Sequence, residues 1–321
     1  MFEVVGLVMP FFGLILIGYV FGRRAKFDVS ALGWMNVFII YVALPALFFK
    51  LMSKTPVEQF REWHFVVGAT GSTFLLFLAV LAAVRLVGRH TLPEAMIQGF
   101  ASAYGNIGYM GPGLALMAFG EQAAVPVALI FCFDNALHFT MAPLIMGLSE
   151  KSSVSFARLG GQILVKIFLH PFILATMVGV AFALSGLYLP QPLERLVDLL
   201  ANGAAPCALF AMGVTLALRK MERFPLELGY IVPLKLVVHP LLVYVLVSLA
   251  GDFPPVWVYS AVLMAALPSA TNVFVLAQHY GVWTEKASAS VLVTTLLSVA
   301  SVSIFLYFVT KGQIPPDLFP N

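Results

Sequence analysis

The chain has 321 residues, 61% of them hydrophobic and only 10% charged, with a net charge of +3. A soluble domain is about one quarter charged, so 18 basic and 15 acidic residues are too few to cover the surface of one this long. The mean hydropathy of +0.97 agrees, which leaves an all-α polytopic membrane protein with no room for a sizeable soluble domain.

Apolar runs of roughly 20 residues or more each predict a spanning helix. In chain order the first five are Val4–Gly22, Val29–Phe49, Phe65–Val84, Ala95–Gly120 and Gln122–Ser149, the last broken only by Asp134. The next five are Leu159–Leu193 (interrupted by Lys166), Leu199–Leu218, Leu228–Gly251 (interrupted by Lys235), Phe253–Thr284 and Ala287–Thr310. No period-two pattern appears, so helices must satisfy the backbone in lipid. The opening Met1-Phe2-Glu3-Val4 lacks the basic stretch of a secretory signal, and Arg23, Arg24 and Lys26 follow the first apolar run instead. Cys132 and Cys207 lie inside apolar segments and suggest neither a disulfide nor a thiol metal site.

Basic residues set the orientation. With the first loop inside, eleven bases fall on the cytoplasmic side and five on the outer side, and Lys166 and Lys235 are embedded. That excess predicts ten spans in a cell inner membrane, with the N- and C-termini outside.

An internal repeat recurs at one offset. Pro10-Phe11, Gly18, Phe21, Pro45 and Gly120 are matched by Pro171-Phe172, Gly179, Phe182, Pro206 and Gly281, each 161 residues later. Each copy holds five predicted spans, an odd number, so tandem copies have opposite orientation. The expected units are residues 1–158 and 159–321, an inverted-topology repeat of the kind secondary transporters use.

The fourth and ninth spans are where helices should break. Tyr104 to Gly113 carries four glycines, a proline and Asn106, and Leu267 to Asn272 carries Pro268, Ser269, Thr271 and Asn272. Glycine costs about 1 kcal/mol and proline about 3 kcal/mol in a helix interior, and irregular backbone is tolerated at this depth only inside protein or along a cavity. Half-helix N-termini there would favour an anion. Asn106, Gly108, Pro268, Ser269 and Asn272 are the candidate substrate-binding residues, with Lys235 as a basic partner.

Charged residues inside the bilayer are functional candidates by default. Asp134 and His138 stand at i,i+4 in the fifth span, with Asn135 beside them. Lys166 and Lys235 open the similar phrases Lys166 to Pro171 and Lys235 to Pro240, each placing a histidine (His170, His239) four residues on. Asp134, His138 and His239 are therefore proton-coupling candidates. The stripe Ser290, Thr294, Ser298 and Ser301 in the tenth span reads as close helix packing.

These motifs carry a family resemblance. Gly105-Asn106-Ile107-Gly108-Tyr109-Met110-Gly111 resembles the fourth-span signature of the auxin efflux carrier family. Ala266-Leu267-Pro268, with Val273 to Tyr280, is similar to that family's ninth-span crossover. One departure is that Pro112 follows Gly111 directly, where bacterial members carry a glycine-aliphatic pair first. The resemblance covers the whole chain. It implies two inverted five-helix repeats with crossed, broken helices 4 and 9, as in bile-acid-symporter and NhaA-type folds, and a substrate related to malonate, malate or auxin.

The expected function is a secondary carrier of a small organic anion working by elevator-type alternating access, and not an enzyme. Neither an ATP motif nor a zinc-ligand cluster is present, so no cofactor and no metal are expected. The bilayer is a partner, nucleic acid is not, and a homodimer is the one protein assembly envisaged. The competing readings are a membrane sensor on a transporter fold and a sodium-coupled symporter. Sodium coupling is disfavoured because neither crossover carries a carboxylate.

Overall fold

The computed structural model describes residues 2–25, 32–56, 62–88, 90–149, 161, 165, 168–218 and 224–319, with the backbone alone for 2–5, 7 and 8. Lys166 and seven of the eleven bases assigned to the inner side (Lys26, Arg89, Lys151, Arg158, Arg219, Lys220 and Arg223) lie outside the described residues.

Twelve helices account for nearly all of the described chain. They are α1 (Phe2–Ala25), α2 (Gly33–Ser53), α3 (Trp63–Val87), α4 (Leu92–Ala103), α5 (Gly111–Phe119) and α6 (Glu121–Ser149). Then come α7 (Pro171–Ser185), α8 (Gln191–Leu218), α9 (Leu228–Ala250), α10 (Pro255–Ala266), α11 (Thr271–Tyr280) and α12 (Thr284–Thr310). Six of them (α2, α3, α6, α8, α9 and α12) are long and apolar enough to cross a membrane. Large apolar side chains such as Leu16, Leu75, Val178, Leu241 and Leu296 are exposed, as a lipid-facing surface requires. Multiple spanning of a membrane is therefore a property of the fold.

Prolines shape the helices in a readable way. A proline lacks the N–H for its own i−4 bond and clashes with that carbonyl. In α2 the carbonyl four residues before Pro45 belongs to Tyr41, inside a π-turn at Ile39–Ala43. In α9 the one before Pro240 belongs to Leu236, inside a π-turn at Leu234–Val238. The wider turn absorbs the clash without ending the helix. Lys235 sits in that second turn.

The two halves of the sequence interleave. α1 packs along α8, and α2 along α7 and α8, making one group of helices. α3 packs on α4 and α9, and α9 on α10, with α6, α11 and α12 completing a second group. Close approach in the first group depends on glycine. A Cβ on Gly18 would collide with the Phe210 carbonyl and crowd the Gly213 Cα at 3.2 Å. A Cβ on Gly179 would meet the Phe49 carbonyl at 3.0 Å and the Met52 Cβ at 2.8 Å. Adding 161 turns Gly18, Phe49 and Met52 into Gly179, Phe210 and Gly213. The same shift relates two ring pairs, Phe21–Phe210 at 5.8 Å and Phe49–Phe182 at 5.7 Å.

Candidate functional site

α4 starts on a full capping box. The Thr91 hydroxyl accepts from the Glu94 N–H, and the Glu94 carboxylate accepts from the Thr91 N–H at 2.8 Å. The helix then stops at Tyr104, which is extended (φ −83°, ψ 105°) ahead of Gly105. α10 stops at Leu267 (φ −62°, ψ 151°), because the residue before a proline is driven out of the helical region by Pro268.

The two stops meet. Gly105 and Ser269 form an antiparallel bridge, in which Asn106 N–H donates to the Pro268 carbonyl (2.7 Å) and Ala270 N–H to the Tyr104 carbonyl (2.9 Å). Only glycine fits at 105, since a Cβ would lie 2.9 Å from the Met264 carbonyl. Side chains satisfy other polar groups at the crossing. Ser269 N–H donates to Thr294 Oγ1 (3.1 Å), Ser269 Oγ to the Ala101 carbonyl (2.5 Å), and Lys235 Nζ to the Ala265 carbonyl (2.5 Å). An unpaired backbone group in hydrocarbon costs several kcal/mol, so these bonds allow two helices to break at this depth. Beyond the crossing, α5 and α11 end on Gly120 (φ +75°) and Gly281 (φ +65°), both in a backbone region that favours glycine.

A cavity of about 160 Å³ lies between the crossing and the first helix group. Asn106, Gly108 and Asn272 line it from the crossing, Asn135 from α6, and Ile40, Leu44 and Phe172 from α2 and α7. Its polar wall is ordered. Asn272 Nδ2 donates to Tyr104 Oη (3.3 Å), the Tyr104 hydroxyl donates to Asn135 Oδ1, and Asn135 Nδ2 donates to the Phe131 carbonyl (2.6 Å). The Asn106 amide reaches across to the Met212 thioether of α8 at 3.0 Å.

Several helices of membrane-spanning length surround two helix breaks that meet beside a cavity, and a family model described as a membrane transport protein matches residues 3–306. The chain belongs to the auxin efflux carrier family. It is similar over its full length to a candidate malonate transporter of Rhizobium meliloti, with 57% identity covering 100% of both chains. The uncharacterized transporter YfdV of Escherichia coli is 26% identical over 94% of this chain and 96% of its own. A lysosomal cholesterol signaling protein of Mus musculus is 22% identical over 93% of this chain, which spans 36% of that longer protein. The family model and the two bacterial relatives are described as transporters.

The sequence candidates divide between two places in this family member. Asn106, Gly108 and Asn272 line the cavity, whereas Pro268 and Ser269 hold the crossing together through its backbone. Lys235 is fully buried and does not line the cavity. It lies beside Gly105, in a second network whose other members, His239, Thr73 and Asp134, line a void of about 10 Å³, about the size of one water.

That network has a consistent direction. As an ammonium, Lys235 has only hydrogens to donate to His239 Nδ1 (2.9 Å), which assigns the ring proton of His239 to Nε2. His239 Nε2 then donates to Thr73 Oγ1 (3.1 Å), and Thr73 donates to Asp134 Oδ2 (3.2 Å). Asp134 and Lys235 also act on each other electrostatically. His138 does not pair with the Asp134 carboxylate. Its Nδ1 bonds the Asp134 main-chain carbonyl (2.5 Å), and its ring stacks on Tyr104 at 3.9 Å.

Sequence reasoning missed Tyr104 and Thr73 and took Thr294 for packing alone. Tyr104 directly precedes the Gly105-Asn106 pair and was the closest signal available. Thr73, one hydroxyl in an apolar helix, had none.

Proposed function

We propose that this transporter is a secondary carrier of a small organic anion, with malonate the first candidate, working by elevator-type alternating access. The observation that carries the reading is the cavity shared by the crossing and by helices α2 and α7. A site on the seam between two helix groups can be opened to either side by moving one group against the other. The two asparagines supply amides for a carboxylate. The N-terminus of α11, whose Thr271 and Asn272 line the cavity, adds a partial positive charge. The name of the Rhizobium meliloti relative, which is similar over the whole chain, supports malonate.

In this carrier, residues 1–158 and 159–321 would be inverted five-helix repeats forming ten spans, with broken spans α4–α5 and α10–α11 and both termini outside. The support for this is the 161-residue shift that relates the Gly18 and Gly179 contacts, together with the excess of bases in loops assigned to the cytoplasm. Related halves of opposite orientation can exchange conformations, so inward- and outward-open states have comparable energies. α3–α6 and α9–α12 would move against α1, α2, α7 and α8.

Coupling to protons is the matching expectation. The bonds from Lys235 through His239 and Thr73 to Asp134 all run in one sense, so a proton can pass from ammonium to carboxylate and reverse every bond in the chain. The Lys235 ammonium also supplies a tethered cation beside the crossing, which argues against a sodium site there.

Counterflow in proteoliposomes tests the reading. Vesicles preloaded with malonate should accumulate labelled malonate with no sodium present. Exchange of no small carboxylate under any ion gradient would refute the carrier and leave a membrane sensor.

A further inference from the structure

The cavity has a second polar end that the crossing does not supply. Among the described residues lining it, His170 is the one side chain able to carry positive charge. It belongs to the opposite helix group from the asparagines, at the N-cap of α7. Pro171 holds it in extended backbone (φ −66°, ψ 132°), so its side chain leaves the helix end instead of running along it. The ring is fixed by aromatic contact, stacked on Phe139 at 5.4 Å with planes 28° apart and packed on Phe172 at 4.6 Å. Among the described residues its ring nitrogens make no hydrogen bond, which leaves unused donor capacity on a residue lining the cavity beside Phe131, Phe139 and Phe172.

We infer that His170 is a specificity-determining residue that takes the second carboxylate of a short dicarboxylate, while Asn106 and Asn272 hold the first. This rests on the carrier reading above. A monocarboxylate would satisfy the amide end and leave the imidazole unused. A dicarboxylate bridges the seam and gains a hydrogen bond to a charged group, a stronger class than a neutral one. Discrimination by a polar contact of this kind exceeds what an apolar wall achieves, because an unmatched polar group in a dry site is costly.

The test compares malonate with its monomethyl ester, which has nearly the same shape and one carboxylate fewer. Affinities are measured by thermal shift on detergent-purified protein for wild type, His170→Phe, His170→Gln and Asn106→Ala. His170→Phe keeps the stacking and removes both ring nitrogens. It should weaken malonate by about tenfold or more and leave the ester within about threefold. His170→Gln, which retains a donor, should recover part of the loss, and Asn106→Ala should weaken both ligands. Wild-type malonate affinity in His170→Phe, or an equal loss of both ligands, overturns the assignment while the carrier reading stands. Failure of wild type to bind either ligand overturns both.

Discussion

Asp134 and Asn135 are consecutive on α6, yet their side chains enter different networks: Asp134 accepts from Thr73 at 3.2 Å, and Asn135 accepts from the Tyr104 hydroxyl beside the larger cavity. Successive helical residues stand about 100° apart, enough to put one in the void lined by Thr73 and His239 and its neighbour at the candidate site. One turn of helix thereby touches both the groups proposed to bind substrate and those proposed to move a proton.

Separation of these roles is measurable. Thr73→Val removes the middle of the Lys235–Asp134 chain without touching the cavity. Malonate counterflow should stay within a few-fold of wild type, while uptake driven by a pH gradient is lost. Asn135→Ala should lower counterflow itself, through a misplaced Tyr104. Equal loss of both activities in Thr73→Val would deny the relay.

The crossing leans on α12. Thr294→Val leaves the Ser269 N–H without its acceptor, an unpaired buried group that costs about 1–3 kcal/mol. Thr294→Ser keeps the oxygen. Melting of the purified protein should show a clear loss for valine and little for serine. Faster amide exchange at Ser269 and Ala270 should accompany the loss.

Helix approach in the first group predicts a matched pair of effects. Gly18→Ala and Gly179→Ala each force a methyl group into the facing backbone, with overpacking costs of about 1–3 kcal/mol. Gly203→Ala in α8 meets nothing within 4 Å and should be neutral or stabilising by up to about 1 kcal/mol. Melting temperatures of the three variants check this.

Acid should unmask the α4 cap. The backbone N–H of Thr91, partly opposed by burial, holds the Glu94 carboxyl below its usual range. A depressed carboxyl stabilises the fold above its unfolded pKa and loses that contribution as pH falls through the folded value. The wild-type melting temperature should therefore exceed that of Glu94→Ala near neutral pH, with the gap closing below pH ~4.

Much of this fold was written in composition and in a few perturbing residues. The runs without charge located the helices, and Gly105, Asn106 and Pro268 located both breaks, because glycine and proline act on the backbone locally. The 161-residue offset marked Gly18 and Gly179, and each of them faces backbone of a neighbouring helix. What depends on three-dimensional neighbours was not legible. Nothing in the spacing distinguishes Lys235 at the cavity from Lys235 against the Ala265 carbonyl, because that choice is made by α10, 30 residues away. The i,i+4 spacing of Asp134 and His138 was correctly seen, but the rotation of His138 toward Tyr104 is set by α4.

Counterflow with the two asparagine variants tests the central claim most directly. Proteoliposomes holding malonate should accumulate labelled malonate through wild-type protein, and Asn106→Ala and Asn272→Ala should each reduce that exchange at least about tenfold at unchanged melting temperature. Full exchange by both variants would contradict the site at the crossing.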